Sequence, residues 1–253
     1  MKLKTIVFIA ILTTQAVWVT AQSTEELFAK ALKFKTAYNY KEALPLYQSL
    51  LKTDSNNVNY LTGGAYCYVK YAFYYLPETE KMNYYNSAGH LAQRAIKLSE
   101  TNADAHYLYA MALGRINENA SSKVKIANSK NIKTQLDRSI TLNPKIAGAY
   151  HILGRWHRTI AGFNSVEKIM INSFFGGVPE GGSYNDAISS FMKAISLEPK
   201  FMLHQFELAE TYHEMGKDIE AKLWAKKALE LTPACEDDIK AKKDCEALLN
   251  KIK

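Results

Sequence analysis

The stretch Met202–Cys235, MLHQFELAETYHEMGKDIEAKLWAKKALELTPAC, decides the fold, because it reads as one complete helical hairpin of 34 residues. Leu208, Ala209 and Tyr212 share one face of a first helix, and Ala221, Ala225 and Ala228 recur on one face of a second. Small residues are needed where two antiparallel helices approach closely, and the aromatic fills the wide end. Gln205 is the one polar residue on this face. Pro233 has no N–H to continue the second helix and so sets the turn to whatever follows.

Working outward, the same pattern recurs along the chain, and it is that of the tetratricopeptide (TPR) repeat. Residues 24–57 supply Leu27, Ala31, Phe34, Ala43, Tyr47 and Leu50 at the matching places. Residues 58–102 supply Leu61, Ala65 and Tyr68, then Ala88, Ala92 and Ala95. Residues 103–146 supply His106, Ala110 and Leu113 and end in Leu142-Asn143-Pro144, while residues 147–201 supply Tyr150, Leu153, Gly154 and His157, then Ala187, Phe191, Ala194 and Pro199. These middle units exceed a regular repeat by about 11, 10 and 21 residues. The excesses fall at Tyr71–Met82, in the polar segment Asn117–Lys130 and in residues 163–182. Residues 236–253 form an end helix, with Glu236, Asp237 and Asp238 at its positive end and Lys251 and Lys253 at its negative end. Cys245, Leu248, Leu249 and Ile252 would cover the last repeat, as repeat arrays need a capping element. The expected fold is therefore all-α: a right-handed α-solenoid of five TPR-like hairpins with a C-terminal capping helix.

The N-terminus adds a destination. Lys2 and Lys4, the apolar run Ile6–Val19 and the tripeptide Val19-Thr20-Ala21 have the three zones of a secretory signal peptide, with cleavage between Ala21 and Gln22. A retained anchor is the alternative, but a span needs roughly 20 apolar residues and this run is shorter and interrupted by Thr13, Thr14 and Gln15. The expected organisation is a leader over residues 1–21 and a helical domain over 22–253, opening on a Ser23–Glu26 capping box. The product would be exported, periplasmic or secreted. The formal charge of +7 falls to +5 without Lys2 and Lys4, a mild excess that supports no nucleic-acid partner. Three cysteines, Cys67, Cys235 and Cys245, are an odd set for a disulfide framework and read as buried structural thiols.

A more specific resemblance lies in Ala105–Leu249. NPKIAGAYHILGRW is followed by the phenylalanine-rich SFFGGVPEGGSYNDAISSFMKAISLEP, then LAETYHEMGKDIEAKLWAKKALELTP and an acidic EDD opening the end helix. In that order these segments resemble the helical domain of the regulator of microtubule dynamics family, here as an exported, bacterial-type member. The resemblance implies a stacked helical domain used for binding and, in some members, phospholipid binding between helices.

Catalytic signatures are absent: there is no GxSxG, Walker A, HExxH or paired CxxC. No catalytic residue, metal ligand or cofactor is expected, and the double glycines at Gly176-Gly177 and Gly181-Gly182 read as loop residues. The informative constellation is the concave face, built from first helices: Phe28 and Leu32, Tyr66, Tyr107 and Met111 with Arg115 one step beyond, His151, Arg155 and Arg158, then Phe206, Glu210 and His213. His151, Arg155 and Arg158 fall on one helix face and place guanidinium groups beside an apolar wall. Two readings follow: arginines that merely solvate an exposed groove, or a ligand surface for a protein or peptide, with a phospholipid or other amphiphile as the alternative. Arg155 and Arg158 lie off the packing positions, so their replacement is expected to weaken anion contact and leave melting nearly unchanged. The last insertion is expected to form a short helix capped by Ser165. Its Val166, Ile169, Met170, Phe174 and Phe175 are too apolar to leave in water and should dock over one end of the groove, as a lid or as a permanent filler.

Overall fold

The computed structural model describes residues 24–174 and 177–252. The expected leader, the Ser23–Glu26 capping box, Phe175 and Gly176 therefore lie wholly or partly outside the described residues. Among the described residues twelve helices follow one another: α1 (24–36), α2 (Tyr40–Thr53), α3 (Val58–Tyr75), α4 (Glu78–Leu98), α5 (Ala103–Asn117), α6 (Ser122–Leu142), α7 (Ala147–Ala161), α8 (Ser165–Phe174), α9 (Tyr184–Leu197), α10 (Met202–Glu214), α11 (Asp218–Leu229) and α12 (Glu236–Lys251). There is no strand among these residues. No helix among them is long and apolar enough to cross a membrane.

The helices pair as the repeat pattern requires: α3 with α4, α5 with α6, α7 with α9 and α10 with α11. Alanines at the crossings make this possible. Ala43, Ala65, Ala92, Ala110, Ala149, Ala187, Ala209 and Ala225 are all 0% exposed, so neighbouring backbones approach without leaving voids. Where a methyl group is still too large the sequence uses glycine. A Cβ on Gly154 would come within 2.7 Å of the Phe191 ring, which fills the centre of the α7–α9 hairpin. Local chemistry fixes the helix starts. Asn57 caps α3, accepting from the backbone of Asn59 and Tyr60; Asn102 caps α5; and Ser183 accepts from Asp186 N at 3.1 Å while donating to the Asp186 carboxylate at 2.7 Å.

The first and fifth hairpins turn at equivalent places on a residue with left-handed backbone. Gly216 (φ 73°) adopts it without steric cost, whereas Tyr38 (φ 59°) carries a side chain through it. The extra residues in the second and third units lengthen helices rather than loops: α4 and α6 each run 21 residues. At the end of the array α12 packs on α10 and α11 through Ala241, Cys245, Leu248 and Ile252, against Met202, Ala225 and Ala228. Cys67, Cys235 and Cys245 are buried and free, and burial pushes their thiols up to about 12, 11 and 12.

The last insertion corrects the expectation made for it. Helix α8 forms, but its cap is Asn164, one residue earlier than expected: Asn164 Oδ1 accepts from Val166 N and Glu167 N, and Glu167 returns to Asn164 N. It packs along no other helix of the described residues. Val166, Ile169, Met170 and Phe174 are 67%, 65%, 51% and 75% exposed, and of its large apolar side chains Ile171 is the buried one. The reason lies at the flanks. Phe163 and Val178 both pack on the Ile132, Trp156 and Ile160 cluster, so the two ends of the excursion are stapled to one place and the helix between them projects outward.

Candidate functional site

The first helices α1, α3, α5, α7 and α10 present their shared face to a common interior, and the side chains there touch from one repeat to the next. Lys35 of α1 lies 5.8 Å from the Tyr66 ring of α3. Tyr107 of α5 donates to the Met111 sulfur at 3.6 Å, and its hydroxyl leaves no space for a Cβ on Gly148 of α7. His151 of α7 meets His204 of α10, ring nitrogen to ring nitrogen, at 2.9 Å, and His204 reaches Glu198 at 3.3 Å. Burial holds the His151 imidazole well below its usual value, reinforced by His204, Arg155, Lys70 and Arg158, so at neutral pH this ring is uncharged. Burial likewise pushes the phenols of Tyr66 and Tyr107 upward, and both feel the carboxylate of Asp237.

The expected residues do not form one continuous surface. Tyr66, Tyr107, His151 and Arg155 lie along the middle of the interior, whereas Met111 is buried in the core between α3, α4 and α5. Phe28 packs at the amino-terminal end against Tyr47 and Tyr60, with Leu32 39% exposed beside it. Phe206 packs with the α12 cluster at the other end. Glu210 is half-buried next to Glu214, and His213 is held by Asp218 at 2.8 Å. Arg115 has its guanidinium carbon 4.0 Å from the centre of the Phe73 ring and is bonded to Glu118.

Arg158 requires a correction. Its guanidinium donates to Glu207 O at 3.0 Å and to the Glu207 carboxylate at 2.6 Å, and its Nε lies 3.3 Å from Glu214. With the Glu207 side chain only 8% exposed, this is a structural ion pair tying α7 to α10. Arg155 makes a longer contact with Glu207, 3.6 Å, and at 45% exposed is the more accessible arginine to an outside anion.

Three residues on the inner face escaped the sequence reading. Lys70 and Tyr74 continue the Tyr66 stripe of α3 at steps of four, and both reach Asp237 in the first turn of α12: Lys70 Nζ is 2.5 Å from Asp237 Oδ2, and the Tyr74 hydroxyl donates to Oδ1. The i, i+4, i+8 spacing was there to be seen, but Asp237 looked like an ordinary helix-dipole carboxylate. Its neighbour Asp238 is also committed, accepting from Met202 N at 2.8 Å and Ala234 N at 3.1 Å. The solenoid is thereby closed into a ring, with residues 167 apart in sequence bonded across the mouth of the concave face. A separate open cleft of about 530 Å³ lies between α2, α3 and α4, lined by Gln48, Leu51, Lys52, Tyr68, Ser87, His90 and Leu91. No group of side chains among the described residues could hold a metal ion.

Comparison with known proteins agrees with this architecture. The family model for regulator of microtubule dynamics protein 1-3 matches residues 27–253. Regulator of microtubule dynamics protein 3 of Bos taurus is 33% identical over 171 residues, covering 67% of this chain and 36% of that protein. Regulator of microtubule dynamics protein 1 of Bos taurus is 30% identical, covering 68% of this chain and 54% of its own length. The chain thus spans about a third to a half of these relatives. Among solved structures, a thermophilic TPR protein of Thermus thermophilus superposes over 90% of this chain and 99% of its own with a TM-score of 0.64 at 17% identity, a likeness of fold. With a helical ring built on TPR-like hairpins and a family match over nearly its whole length, the chain belongs to the regulator of microtubule dynamics family.

Proposed function

We propose that the protein is an exported, non-enzymatic interaction module that binds a protein or peptide partner along its concave, first-helix face. The observation that carries this reading is the line of Tyr66, Tyr107, His151 and Arg155 on three successive first helices, all directed to one interior. Aromatic and guanidinium groups of this kind supply most binding energy at protein interfaces. Of the two expected arginines, Arg155 is the more exposed, at 45%, and its contact with Glu207 is the longer, at 3.6 Å. The test uses partners captured by cross-linking from an envelope extract. Arg155→Glu and Leu32→Asp, both at exposed positions, should reduce capture while circular dichroism stays as in the wild type. Capture unaffected by either change would remove the concave face from the function.

A second reading, a carrier or membrane-contacting protein for lipids or other amphiphiles, is favoured by α8. Its exposed Val166, Ile169, Met170 and Phe174 give an apolar helix face of the sort that enters a bilayer interface. Native mass spectrometry of gently purified protein separates the two readings: a co-purifying lipid favours the carrier, and an empty chain that captures a protein favours the module.

A further inference from the structure

The contact that closes the ring is built differently from the junctions between successive repeats, which are packed with apolar side chains. The buried clusters of α3 hold residues of α1, α2, α4 and α5, those of α12 hold residues of α10 and α11, and among the described residues no cluster spans the two. The seam is made of polar atoms: Lys70 and Tyr74 on one side, Asp237 on the other. Helix α12 has its own apolar anchorage on α10 and α11 in Cys245, Leu248 and Ile252, separate from the seam.

On the α3 side the two donors form a preorganised pair. They are one helical turn apart, on the same stripe as Tyr66, and the Lys70 ammonium lies 5.7 Å from the Tyr66 ring and 6.0 Å from that of Tyr74. Ammonium and phenol address the two oxygens of one carboxylate separately, and this pair would remain in place if α12 withdrew. Burial by itself would raise the Asp237 pKa, but the Lys70 charge and hydrogen bonds from Lys70 and Tyr74 outweigh it, so the carboxyl stays ionised. Tyr38, whose backbone is left-handed, brings its phenol to the same carboxyl-terminal charges, among them Glu198 and Asp238.

We propose that Lys70 and Tyr74 are a carboxylate-binding site for an acidic segment of a protein partner, and that Asp237 fills this site from within the chain until such a segment displaces it. The inference rests on the concave-face reading above and names the chemistry of the partner. An internal ligand acts at an effective concentration on the order of millimolar, so a single outside carboxylate competes poorly. A run of several, with Arg155 and Lys35 on the same face to receive the others, competes well.

The test uses the full chain and two probes, an acetylated hexa-aspartate amide and its hexa-asparagine counterpart, with calorimetric titration of wild type, Asp237→Asn, Lys70→Met and the double variant. Asp237→Asn should bind hexa-aspartate at least tenfold more tightly than wild type, Lys70→Met should abolish that gain, and hexa-asparagine should bind none of them. A natively folded Asp237→Asn with no gain, or a gain that survives Lys70→Met, overturns the proposal. If Asp237→Asn fails to fold, amide NMR of the wild type with excess hexa-aspartate decides. Concerted shifts in residues 66–75 and the first turn of α12 support displacement, and shifts elsewhere or none refute it. Lys70-dependent binding of phosphatidate vesicles without peptide binding would refute the acidic-segment assignment. Failure here, with partner capture still sensitive to Arg155→Glu, leaves the concave-face function standing; insensitivity of capture to Arg155→Glu and Leu32→Asp removes that function as well.

Discussion

Replacing Arg158 with alanine should cost far more than its place on the concave face suggests. The guanidinium donates to Glu207 twice, once to the carbonyl at 3.0 Å and once to the carboxylate at 2.6 Å, and contacts Glu214 at 3.3 Å. Its own side chain is 13% exposed and that of Glu207 8%, so removal leaves a carboxylate shut away from water with its principal cation gone. Breaking one partner out of a buried pair costs about 3–5 kcal/mol. Arg155, at 3.6 Å, supplies some compensation, which places the loss at about 3 kcal/mol. For a chain of this size that corresponds to a fall in melting temperature of about 6–12 °C. Arg155→Ala serves as the paired control: its side chain is 45% exposed, and the loss should stay within about 0.5 kcal/mol. Thermal and urea unfolding followed by circular dichroism measure both. A loss below about 1 kcal/mol for Arg158→Ala, or equal losses for the two variants, would refute the assignment of Arg158 as structural.

Gly154→Ala should destabilise by about 1–3 kcal/mol by the same unfolding assay, because its methyl would meet the fully buried Phe191 ring at 2.7 Å, and Phe191→Leu should partly relieve that loss. The paired change Ile169→Glu with Phe174→Glu should move stability by no more than about 0.5 kcal/mol, since both side chains face solvent; a large loss in urea unfolding would mean that α8 docks after all. The seam should respond to acid in one direction only. Asp237 has its folded-state pKa below the ordinary 3.8, so its contribution is complete above that value and is lost as pH falls through the folded-state pKa. A fluorescence-transfer pair on α3 and α12 should therefore report a constant distance from about pH 7 to about pH 5 and an increase only below about pH 4.

Where the sequence was legible, packing geometry made it so. Leu208, Ala209, Ala221, Ala225 and Ala228 are each 0% exposed because a hairpin of 34 residues tolerates only such side chains at its crossing, and that requirement is visible as spacing. The Ser183–Asp186 cap is a feature of the same local kind, since it depends on residues three apart. What could not be read were features that depend on contacts between one repeat and another. Arg158 falls off every packing position of its own repeat, yet its partners, Glu207 and Glu214, come from the next one. Asp237 follows the rule for an acidic first turn while also bonding across the ring to α3. The exposure of α8 was missed for another reason. Apolar content alone calls for burial, whereas here Phe163 and Val178 at the flanks of the helix fasten the insertion to the core. Even Gln205, the polar residue on the packing face, has a place there: it is 7% exposed and its amide donates to Pro199 O at 3.2 Å.

The closure of the concave face is tested most directly by zero-length carbodiimide coupling, which joins an amine to a carboxylate only when the two are in contact. With Lys70 Nζ 2.5 Å from Asp237, peptide mapping of the coupled monomer should yield a Lys70–Asp237 isopeptide, alongside local products from pairs such as Lys240–Asp244, also at 2.5 Å. Excess hexa-aspartate should suppress the Lys70–Asp237 product and leave Lys240–Asp244 unchanged. Formation of the local product without any Lys70–Asp237 link would show that the ring is open in solution and would contradict the account at its centre.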